Sequence, residues 1–195
     1  MIPGFADPVA DSQRTFRRVL DALARPTLPV ALAPLPPAPG ALPPVAAAIA
    51  LTLCDDSTPV WLDATLADDD EVLEWFAFRT AAPIAAEPAV AALAFATAPA
   101  ALPALEDFAL GTDEAPHTST TVVLGVADGP GEAFLADGPG FPEPRRWAAP
   151  ALPADFAAQW SANRARFPRG VDMLLAGAAE VTGLPRTTAL SREAR

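Results

Sequence analysis

A chain of 195 residues, 51% hydrophobic and 19% charged, can bury a sizeable core, and its size suits a single domain over residues 1–195. It contains no lysine or tyrosine, one histidine and one cysteine. These gaps exclude a Schiff base to pyridoxal phosphate, a Walker-type phosphate lysine, a closed Cys/His zinc site and an intrachain disulfide. A net charge of −11 repels polyanions and argues against nucleic acid or an anionic membrane as a partner.

Residues 1–8 lack the basic region and continuous apolar stretch of a secretory signal, so a reducing, cytoplasmic location is expected. Asp7-Pro8 then reads as an N-cap with proline at the first helical position. Phe16, Val19, Leu20 and Leu23 follow at helical spacing, predicting a helix that buries this face and stops before Pro26. The proline-dense stretch 28–44 predicts ordered loop with a short strand at 30–32. Residues 45–54 predict an apolar helix and 60–62 a strand. The acidic run Asp68-Asp69-Asp70-Glu71 suits the N-terminus of a further helix carrying Val72, Leu73, Trp75, Phe76 and Phe78.

Residues 81–105 carry one charge, Glu87, but Pro83, Pro88, Pro99 and Pro103 divide them too finely for a membrane span. A strand is predicted at 89–97 and a short helix at 102–110, ending at Gly111. The β-branched run 120–127, a turn at 128–131 and a returning strand at 132–137 read as a hairpin. A helix at 154–166 precedes a second hairpin, 171–175 with 179–184. Helices interleaved with strands predict an α/β fold: a three-layer αβα sandwich around a mixed sheet.

Few residues carry reactive chemistry. His117 and Ser119 lie in a loop with Asp113 and Glu114, a pairing that suits nucleophilic catalysis only if the fold makes them converge. Cys54 closes an apolar helix and reads as a buried, inert thiol. Gly138-Pro139-Gly140, with Arg145 and Arg146 downstream, is a candidate anion-binding turn. Arg14, Arg17 and Arg18 form the one basic concentration, a candidate partner interface or a solvated face paired with Asp11 and Asp21. Arg169, Asp172 and Arg186 flank the last hairpin, where adjacent strand ends can bring them together as a ligand-binding group with Gly138 and Gly140.

Taken in order, Phe16-Arg17-Arg18-Val19-Leu20, Leu51-Thr52-Leu53, Thr58-Pro59-Val60-Trp61-Leu62, Gly111-Thr112 with Ala115-Pro116, and Gly138-Pro139-Gly140 form a recognisable series. Phe167-Pro168-Arg169-Gly170-Val171-Asp172 and Leu184-Pro185-Arg186-Thr187-Thr188 complete it. The series resembles the PhnH family, the H subunits of bacterial carbon–phosphorus lyase systems, over nearly the whole chain. The resemblance implies a fold similar to the large domain of pyridoxal-phosphate-dependent transferases, without that cofactor. It further implies a homodimer in isolation and a place beside the G, I and J subunits of a core complex. That complex forms ribose 1-alkylphosphonate 5-triphosphate from ATP and a phosphonate. No catalytic residue and no cofactor follows for this subunit.

Two functions compete. One is a non-catalytic structural subunit, consistent with so few acids, bases and nucleophiles in a reactive setting. The other is a phosphonate- or nucleotide-phosphate-binding subunit with its own site at Arg169, Asp172 and Arg186. A hydrolase built on His117 and Ser119 is a third reading, tested by replacing His117.

Overall fold

The computed structural model describes residues 4–127, 129 and 131–192. The chain opens with helix α1 (Pro8–Ala24), where the Asp7 carboxylate accepts from the Ala10 amide and supplies the cap that the sequence promises. It ends at Arg25, ahead of Pro26. Strand β1 (Pro29–Ala31), helix α2 (Pro44–Leu53), strand β2 (Val60–Leu62), the single turn α3 (Ala64–Ala67) and helix α4 (Asp70–Arg79) follow. Then come β3 (Leu93–Ala96), β4 (Thr121–Gly125), β5 (Ala133–Asp137), β6 (Arg145–Ala148), helix α5 (Phe156–Ala165), β7 (Asp172–Ala176), β8 (Glu180–Leu184) and β9 (Ala189–Arg192).

The main sheet has the order β1-β8-β7-β4-β3-β2. Its strands β2, β3, β4 and β7 run parallel, while β8 and β1 are antiparallel to their neighbours, so the sheet is mixed as predicted. Both faces are covered, and the twofold alternation of strand side chains divides the core. Phe95, Val123 and Leu174 join Val19 of α1, Ile49 of α2 and Phe76 of α4 in one cluster. Val122, Leu124, Met173 and Leu175 point the other way, into a cluster with Phe156 and Trp160 of α5. Phe134 and Trp147 also belong to that second cluster; they come from a small antiparallel sheet of order β6-β5-β9, which completes the third layer beside α5.

A buried carboxylate ties the parallel strands together at one end. Asp63, after β2, accepts from the Leu66 amide at 3.0 Å and from the Thr97 amide and hydroxyl at 2.6 and 2.7 Å. It thereby caps α3 and joins the ends of β2 and β3.

The structure departs from the sequence-based expectations in four places. Helix α1 turns Asp11, Thr15, Val19 and Ala22 inward, leaving Phe16 46% and Leu20 48% exposed. Residues 102–110 form no α-helix; a single 3-10 turn at Leu105–Asp107 stands in its place, and Leu105 and Phe108 are buried in the second core cluster instead. The predicted hairpin of 120–127 with 132–137 does not form, because β4 pairs with β3 and β7 while β5 pairs with β6 and β9. Asp128 and Pro130, in the turn proposed between them, lie outside the described residues, as does the opening Met1-Ile2-Pro3. The strand expected at 89–97 shortens to β3 behind a 3-10 turn at Pro88–Val90.

Candidate functional site

The last hairpin does bring Asp172 and Arg186 together. Asp172 opens β7 and Arg186 follows β8, and the two strands pair antiparallel. The Asp172 carboxylate receives the Arg186 backbone amide at 2.7 Å. It also receives the guanidinium Nε at 3.1 and 3.2 Å and Nη2 at 2.6 Å. The guanidinium has further partners in a different part of the chain. Nη1 donates to the carbonyls of Pro116 and Pro168 at 3.1 and 3.2 Å, and Nη2 donates to Ser119 Oγ at 2.5 Å. Arginine has five N–H groups, and these contacts account for all of them. The Arg186 side chain is 11% exposed. The arrangement is a clasp that fastens the loop at 116–119 to the last hairpin, with no donor of Arg186 left to meet an incoming anion.

The neighbouring groups are arranged in the same spirit. Arg169 does not join the clasp; its Nε lies 3.2 Å from the Asp113 carboxylate on the surface. His117 is exposed on a 3-10 turn, whereas Ser119 is buried and its oxygen already accepts from Arg186. Arg186 has no acceptor and stays protonated, so it cannot take the proton that a nucleophilic serine must lose.

Gly138 and Gly140 open the connection from β5 to β6 with positive φ of 129° and 89°. They are needed for close approach, since a Cβ at Gly138 would meet the Thr187 carbonyl at 2.8 Å and one at Gly140 the Ala24 carbonyl at 2.7 Å. The Gly138 amide donates to its neighbour Asp137 at 2.7 Å, so the turn spends that amide internally. Downstream, Arg145 stacks over Phe141 at 5.7 Å.

Cys54 caps α2 through its backbone amide, which donates to the Ala50 carbonyl at 3.0 Å, and burial of its thiol, reinforced by the charge of Asp55, pushes its pKa up to about 12. Asp69 is the N-cap of α4, accepting from the Glu71 and Val72 amides, which explains the acidic run. On α1, Arg14 pairs with Asp11, and Arg18 lies 4.0 Å from Asp21, which Arg25 also approaches at 3.4 Å. Arg17 is exposed on the same helix.

A further unassigned surface lies elsewhere. Where the third layer stops short of β1 and β8, a recess of about 230 Å³ is lined by Thr27, Glu180, Thr182, Trp147 and Leu175. The sequence reading singled out none of these. The available signal was the alternation Glu180-Val181-Thr182, which places two oxygen-bearing side chains on one side of a strand whose intervening valine is core.

With the geometry in place, comparison with known proteins gives a consistent result. Residues 3–191 match the family described as bacterial phosphonate metabolism protein (PhnH). A relative from Rhizobium meliloti (strain 1021), the alpha-D-ribose 1-methylphosphonate 5-triphosphate synthase subunit PhnH, is 43% identical over 192 residues. The aligned region covers 97% of this chain and 94% of the relative.

Proposed function

The chain belongs to the PhnH family of bacterial phosphonate-metabolism proteins, and from that premise we propose that it is a subunit of an assembly making ribose 1-alkylphosphonate 5-triphosphate, contributing shape and contact rather than reacting groups. The observation that carries this reading is the near-complete overlap with a synthase subunit, 97% of one chain on 94% of the other. The local chemistry supports the non-catalytic part. Arg186 has its donors committed, Ser119 Oγ accepts a hydrogen bond from the guanidinium, and the Cys54 thiol is held protonated.

In this reading the partners are the G, I and J subunits of a carbon–phosphorus lyase core complex, with a homodimer forming in isolation. The Asp172–Arg186 clasp supports the fold of this subunit and does not bind phosphonate. Co-expression with the three partner subunits followed by size-exclusion chromatography tests the assembly. Co-elution is expected, and separation into unassociated species at micromolar concentration overturns it. The isolated chain is expected to form no triphosphate product from ATP and methylphosphonate.

A further inference from the structure

Thr27 carries two local penalties at once. It is a β-branched residue in the left-handed region, with φ of 65°, and its hydroxyl is buried without a hydrogen-bond partner. Glycine would relieve both. The residue is 4% exposed and is held in place by its amide, which donates to the Gly183 carbonyl at 3.0 Å. Strain of this kind persists where surrounding structure holds it, and such positions concentrate at ligand sites.

Thr27 forms part of the floor of the recess beside β1 and β8. Glu180 and Thr182 line the same recess, and among the described residues neither the Glu180 carboxylate nor the Thr182 hydroxyl has a hydrogen bond or ion pair. Thus three oxygen-bearing side chains without partners among the described residues meet an apolar wall that includes Trp147 and Leu175, and no described arginine or histidine lines the space. One carboxylate and two hydroxyls against an aromatic wall suit a neutral, hydroxyl-rich ligand. Vicinal hydroxyls donate to a carboxylate, threonine oxygens exchange hydrogen bonds with them, and the C–H face of a sugar rests on apolar surface.

A phosphate or phosphonate group is repelled by Glu180 and must point away. The recess shares Val126, Ala127 and Gly177 with an adjoining groove of about 320 Å³ at the carboxyl ends of β3, β4 and β7. Among the described residues no acidic side chain lines that groove, and it lies where parallel α/β sheets generally receive ligands.

We propose that the Thr27–Glu180–Thr182 recess binds the pentose of a ribosyl phosphate or phosphonate, with the anionic end directed into the adjoining groove. The choice of pentose rests on the synthase reading above; the preference for a neutral polyol rests on the lining alone. Thr27 acts by rotation about χ1, which brings its hydroxyl from the floor to the ligand.

Calorimetric titration of the full-length chain with ribose 5-phosphate tests this, with 2-deoxyribose 5-phosphate and inorganic phosphate as comparison probes. Ribose 5-phosphate is expected to bind with one-to-one stoichiometry. Removing the 2-hydroxyl, or making Glu180→Gln, is expected to weaken binding about tenfold, the loss of a charge-assisted hydrogen bond. Thr27→Gly is expected to raise the melting temperature by about 3 °C while weakening binding, a combination that a purely structural threonine does not give. Equal affinity for the deoxy sugar, binding unchanged in both variants, or no heat with ribose 5-phosphate overturns the site. If the chain still co-elutes with its partner subunits in that case, the synthase reading stands and the pentose site alone falls.

Discussion

At the scale of single residues, Arg186 shows how a polar group can be prominent in sequence and still be unavailable for chemistry. Its partners come from 116–119, from Pro168 and from Asp172, so removing it strands a carboxylate, a hydroxyl and two carbonyls together. Arg186→Ala is expected to cost about 3 kcal/mol in urea unfolding, and Arg186→Lys to recover only a minor share, because an ammonium cannot reproduce the planar fork. Cys54 offers a cleaner case. With lysine and tyrosine absent, it is the side chain left to titrate between the ranges of histidine and arginine. Its folded pKa of about 12 lies above the ordinary 9.0, so the folded state holds its proton where the unfolded state releases it. Stability should therefore be intact below pH 9 and fall as pH rises from 9 towards 12, by up to about 1.4 kcal/mol per unit. Cys54→Ala should flatten that slope in equilibrium unfolding. For the same reason, alkylation by iodoacetamide at pH 8.5 should run about a thousandfold slower in the folded protein than in urea.

At the scale of elements, α1 separates what a sequence pattern fixes from what it leaves open. Its bounds were legible because capping and proline act locally: Asp7 starts it and Pro26 ends it. Its buried face was not, because a stripe holding Phe16 and Leu20 looks like core whether a sheet or solvent lies against it. The inward face is instead set by contact with α2 and β8, which selects the smaller Thr15, Val19 and Ala22. Val19→Ala should accordingly cost about 2 kcal/mol in thermal unfolding of the isolated chain, and Phe16→Gln less than about 0.5. The hairpin of β7 and β8 was legible too, since a short turn of small residues leaves few alternatives. The strands of the second sheet were not. Pairing of β5 with β6 and β9 depends on distant segments, and β6 and β9 are four-residue strands with charged residues on their exposed sides. Of the candidate site, the meeting of Asp172 with Arg186 could be read from strand ends; the saturation of Arg186 by Pro116 and Ser119 could not, because those partners lie 70 and 67 residues away in the chain.

At the scale of the whole molecule, β3, β4 and β7 each send side chains into both core clusters, so neither cluster can melt while the other keeps its sheet. One cooperative transition is expected. Trp75 sits in the first cluster and Trp160 in the second; variants keeping one or the other as the fluorescent reporter should give coincident urea midpoints, and two separated midpoints would divide the chain into independent units. The topology also bears on how the protein is made. Val30 of β1 pairs with Val181 of β8, and Leu135 of β5 with Ser191 of β9, so segments translated early wait for partners translated last. A ribosome-bound intermediate halted before residue 180 therefore exposes two bare strand borders, and nascent polypeptides caught at that stage should depend on chaperone shelter far more than the released product does.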